Sequence, residues 1–64
     1  LGKIRRAGYI FITWIGDHAP KHVHVFKNGK EVMKYDLENK QVMSGRSNRK
    51  IEMIILELLK EKEL

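Results

Sequence analysis

The pair Asn28-Gly29 constrains this chain more than any other two adjacent residues in it. Both residue types tolerate positive φ, which a two-residue hairpin turn demands of its central positions. The sequence on either side is strand-like. His22-Val23-His24-Val25-Phe26 alternates, so Val23 and Val25 point one way while His22, His24 and Phe26 point the other. Lys30 to Leu37 follows the turn as another strand, with Val32 facing opposite to Met33, Tyr35 and Leu37. An antiparallel pair is therefore expected at the centre of the fold.

The flanks extend this pair into a meander. Tyr9-Ile10-Phe11-Ile12-Thr13-Trp14-Ile15 is rich in β-branched and aromatic residues and reads as a strand. It is apolar on both faces, which predicts cover on both sides. Gly16 to Lys21 is a loop, because Pro20 blocks a regular continuation. Glu38-Asn39-Lys40 reads as a turn and Gln41-Val42-Met43 as a short returning strand, with Gly45 ending the region. Lys3, Arg5 and Arg6 read as a basic arm over residues 1–7.

Beyond Gly45 the period changes. Ser47 or Asn48 can cap a helix running over 47–64. Ile51, Ile54, Ile55 and Leu58 fall at spacings of three and four and form its core stripe, which Met53, Leu56 and Leu59 widen. The expected fold is α+β: one domain, with a three- to four-stranded antiparallel meander over 8–45 and one C-terminal helix packed on one face. A single helix covers a single face. If Val23 and Val25 point at it, the His22, His24 and Phe26 face is left for solvent, substrate or another subunit.

At 64 residues the chain buries only about 60% of its unfolded surface. Cysteine is absent, which excludes a disulfide framework and a thiolate metal site and fits a cytoplasmic location. The apolar runs fall short of a membrane span, no signal-peptide pattern opens the chain, and Leu1 in place of Met implies a missing or processed start. The net charge is +5 and unevenly distributed. Through Lys50 there are eleven Lys and Arg against four Asp and Glu, whereas Ile51 to Leu64 has two against four. The basic part contains the histidines. Positive surface there favours a polyanion, RNA or DNA first.

Asp17-His18-Ala19-Pro20-Lys21-His22-Val23-His24 concentrates the chemistry-bearing residues. One reading is acid–base catalysis, with His22 and His24 roughly 7 Å apart on one strand face and able to bracket a phosphate. Asp17 could then orient His18 or His22, while Lys21 and Arg46 or Arg49 hold the phosphate. A second reading is a zinc, nickel or copper site built from His22, His24, His18 and Asp17. Lys21 and the basic surroundings disfavour it. In the third, the histidines are structural, or lie in a dimer interface beside Phe26.

Asp17-His18-x-Pro20-x-His22-x-His24, with the later Tyr35-Asp36-Leu37-Glu38, resembles a bacterial family catalogued as a domain of unknown function, DUF4160. The likeness runs over nearly the whole chain, including Arg46, Arg49 and Lys50 at the entry to the helix. Where members often have a second proline and a further aromatic, this chain has Ala19 and Val23. The resemblance implies a small stand-alone protein, often encoded beside another short protein in toxin–antitoxin-like pairs. It brings no established activity and no assigned catalytic residue.

The expectation is an RNA-directed module of toxin–antitoxin type, with a ribonuclease activity that needs neither metal nor cofactor. His22 and His24 are its acid–base groups, and Asp17 and His18 organise the loop. Lys21, Arg46, Arg49, Lys50, Arg5 and Arg6 contact nucleic acid, the helix-entry cations aided by the helix dipole. A homodimer and a small operon-encoded partner are expected, and no membrane. The competing class is a non-catalytic interaction or metal-binding domain.

Overall fold

A computed structural model describes residues 2–14, 16 and 20–64. Its strands run β1 Gly2–Arg6, β2 Tyr9–Thr13, β3 His22–Lys27, β4 Lys30–Asp36 and β5 Gln41–Gly45, followed by helix α1 at Arg49–Lys60. The strands form one sheet in the order β1-β2-β3-β4-β5, each antiparallel to its neighbour. The fold is therefore α+β, but the sheet has five strands rather than three or four.

The additional strand comes from the segment expected to be a basic arm. β1 pairs with β2 from Gly2 opposite Thr13 to Arg6 opposite Tyr9. Alternation splits its side chains between the two faces. Ile4 packs at the core margin, and Arg6, in phase with it, reaches the helix. Lys3 and Arg5 stand exposed on the other side. The turn into β2 uses Ala7 and Gly8, both at positive φ. Asn28 and Gly29 likewise adopt positive φ between β3 and β4, as the hairpin reading requires.

Two irregularities adjust the central strands. Val25 pairs with Met33 but Phe26 pairs with Glu31, so Val32 is an extra residue in β4. The bulge lets Val32 pack at the core margin instead of facing away from it, and turns Glu31 toward the outer face. Between β4 and β5 the register shifts again at Met43.

The core lies between sheet and helix. Tyr9, Phe11, Val23, Val25, Met33, Tyr35 and Leu37 meet Ile51, Ile54, Ile55 and Leu58 there. Phe11, Val23, Val25, Ile55 and Leu58 are fully enclosed, and each such side chain contributes about 1.5–3 kcal/mol by leaving water. Asn48, not Ser47, caps α1: its side chain accepts from Ile51 N at 3.1 Å. The Ser47 hydroxyl instead donates to Glu52.

The helix stops at Lys60, short of the expected chain end. Lys62 takes positive φ while Glu63 N bonds Leu58 O and Lys62 N bonds Leu59 O, a Schellman closure that turns Leu64 back onto the core. No helix among the described residues is long and apolar enough to cross a membrane.

Candidate functional site

The outer face of the sheet carries the side chains that the core does not take. Among the described residues no second layer of secondary structure covers it. Ile10, Ile12, His24, Phe26 and Lys34 are partly exposed on it, and His22 and Asp36 are buried near one end. Trp14, directly after β2, is 49% exposed.

His22 and His24 occupy alternate positions of β3 and lean together. Their rings meet edge to face with centroids 5.0 Å apart. Each ring is held through Nδ1. A carbonyl oxygen can only accept, so His22 Nδ1 carries a proton and donates to Pro20 O at 2.9 Å. His24 Nδ1 donates to the Glu31 carboxylate at 2.5 Å. In a neutral imidazole protonated at Nδ1, Nε2 carries the lone pair, so these bonds fix the tautomer as well as the orientation.

The loop entry to β3 is anchored from β4. Lys21 N donates to the Glu38 carboxylate, and Lys21 O accepts from Leu37 N at 2.9 Å. Asp36 lies opposite His22 in the sheet. Its carboxylate accepts from the Asn39 side chain at 2.8 Å and from the backbone N–H groups of Glu38 and Asn39, both at 2.9 Å. The Asn39 amide, then the backbone donors and the charge of His22, hold this carboxyl below its ordinary range, although burial opposes them. Burial also pushes the Tyr35 phenol up, with Glu52 and Asp36 adding to the shift.

The candidate cations divide between the two sides of the sheet. Lys3, Arg5 and Lys34 share the outer face with the imidazoles, Lys34 directly opposite His24. Arg6 faces the helix, where it pairs with Glu61 at 3.0 Å and Glu57 at 3.7 Å. Arg46, Arg49 and Lys50 are exposed at the junction of β5 and α1. Asp17 and His18 lie outside the described residues, and among those described no group of three or more His, Cys, Asp or Glu is arranged to hold a metal.

Glu31 and Lys34 are the residues that sequence reasoning misses. Strict alternation puts Glu31 on the core side with Met33, and only the Val32 bulge reverses it. Lys34 comes opposite His24 only through the same bulge, since an unbroken register from Asn28-Gly29 would set Met33 there.

A family profile spans residues 8–63, from the β1–β2 turn past the end of α1, and its description is Domain of unknown function (DUF4160). The chain belongs to that family. Comparison with curated proteins, and with solved structures, gave no match. In this DUF4160 chain the matched span contains the imidazole pair, its Glu31 and Pro20 supports, and Lys34. Lys3 and Arg5 lie before it.

Proposed function

We propose that this protein is an RNA-directed module of the toxin–antitoxin type that cleaves RNA with the His22–His24 pair. The observation that carries this reading is the pair itself: two imidazoles in edge-to-face contact on the outer face of the sheet, each held through Nδ1. One ring takes the proton of the ribose 2′-hydroxyl as its oxygen attacks phosphorus. The other gives a proton to the departing 5′-oxygen, leaving a 2′,3′-cyclic phosphate and a free 5′-hydroxyl. Glu31 supports the positive charge that His24 acquires as base, and Lys34 offsets charge on the phosphoryl oxygens.

The test uses end-labelled RNA with chelator present. Wild-type protein gives cyclic-phosphate ends, and His24→Ala lowers the rate by roughly 100- to 10,000-fold. Wild-type protein without cleavage, or an alanine variant cutting at the same rate, removes the catalytic role.

The half-buried Ile10, Ile12 and Phe26 favour a second reading, in which a protein partner or a second copy covers this face. Sedimentation at increasing concentration tests the second-copy form. Self-association lost in Ile12→Lys, together with no action on RNA, would support it over the first.

A further inference from the structure

The sheet register sets the outer-face side chains in rows that cross the strands. Lys3 is opposite Ile12, Ile12 opposite His24, His24 opposite Lys34 and Lys34 opposite Ser44. This row crosses all five strands, with a cation on the edge strand, an imidazole in the middle and a second cation next to it. With neighbouring strands about 4.8 Å apart, Lys3 and Lys34 are separated by about 14 Å of sheet before their side chains extend. The adjacent row runs Arg5, Ile10, Phe26, Glu31.

From these rows we infer that the outer face binds single-stranded nucleic acid laid across the strands, its backbone following Lys3, His24 and Lys34 and its bases covering Ile10, Ile12, Phe26 and Trp14. The inference rests on the RNA-directed reading above and gives that site its substrate class and path.

Charge and apolar surface select the occupant together. Among the described residues the cations Lys3, Arg5 and Lys34 outnumber the carboxylates of Glu31 and Asp36 on this face, so its formal charge is positive. That sign calls for a polyanion. A duplex turns its bases inward and meets a protein mainly through phosphates and grooves, leaving the isoleucines, Phe26 and the half-exposed Trp14 ring wet. An unpaired base can cover the isoleucines and stack on the rings.

Binding is measured by fluorescence anisotropy with labelled 2′-O-methyl oligouridylate, which cannot undergo attack by the 2′-oxygen, and with a 2′-O-methyl duplex of equal length. The single strand binds more tightly than the duplex. Lys3→Gln and Lys34→Gln each weaken it and each lower the salt slope by about one. Trp14→Ala weakens it roughly tenfold. Lys60→Gln, in the last turn of α1, leaves it unchanged, and unaltered melting of the variants shows that their fold is kept.

Equal affinity for the duplex overturns the inference. So does wild-type affinity in both lysine variants, or equally effective competition by poly-glutamate, which would indicate an acidic peptide partner. Single-strand binding along this path without cleavage of ordinary RNA would sustain the inference and refute catalysis. Cleavage with both lysine variants binding normally would do the reverse.

Discussion

Replacing Gly45 with alanine tests how β5 hands the chain over to the helix. Gly45 has φ +86, and a Cβ there would sit 2.4 Å from Val32 O and 3.0 Å from Met33 Cα. Two costs follow. The left-handed backbone costs an L-residue about 1–2 kcal/mol. Forcing a methyl against fixed backbone adds about 1–3 kcal/mol, as overpacking does elsewhere. Together they come to about 2–5 kcal/mol, against a total stability of about 3–10 kcal/mol for a domain of this length. Gly29→Ala is the matched control. Gly29 has φ +79, but a Cβ there meets nothing within 4 Å, so only the backbone cost applies. Urea unfolding of both variants, followed by circular dichroism, separates the two costs. Gly45→Ala should lose at least 1 kcal/mol more than Gly29→Ala, roughly 4–8 °C in Tm. Equal losses would show that the β4 backbone does not approach Gly45 as described.

Lys62 occupies the left-handed position after α1, so Lys62→Gly should raise stability by about 1 kcal/mol in the same urea assay, and a loss would contradict the Schellman closure. Asp36 has a lowered folded-state pKa, so its contribution is present above the ordinary carboxyl value of about 3.9 and is lost as pH falls through the lower folded value. Urea midpoints measured from neutral pH downward should therefore fall less steeply in Asp36→Asn, and parallel curves would remove Asp36 from the acid response. Glu31→Gln keeps the side chain's size but removes the charge that faces His24. It should lower cleavage by roughly 10- to 100-fold and displace its pH profile, with fold and RNA binding retained; an unchanged profile would make Glu31 a packing residue only.

The sequence displayed those parts of the fold whose determinants are local. Asn28-Gly29 marked the hairpin, the Val23/Val25 alternation separated core face from outer face, and the Ile51 to Leu58 spacing marked the helix. β1 was hidden because Lys3, Arg5 and Arg6 resemble a solvated tail. Ile4 is its one large apolar side chain, and the acids that receive Arg6 lie more than fifty residues away. Ala7-Gly8 is also a weaker turn signal than Asn-Gly, since alanine gains nothing locally from positive φ. Within the site, the imidazole pair was readable from spacing on one strand. Its carboxylate was not, because a bulge one residue away decides which face Glu31 joins.

The strand order has a kinetic consequence. Every strand pairs with its neighbour in sequence, so the sheet can assemble as successive hairpins, each closing only a short loop. The one long closure is the return of α1, which seals the inner face and brings Glu57 and Glu61 to Arg6. Substitutions in the β3–β4 hairpin should therefore slow folding, whereas loss of the Arg6 pairs should mainly hasten unfolding. The two ends of the chain would meet last and separate first.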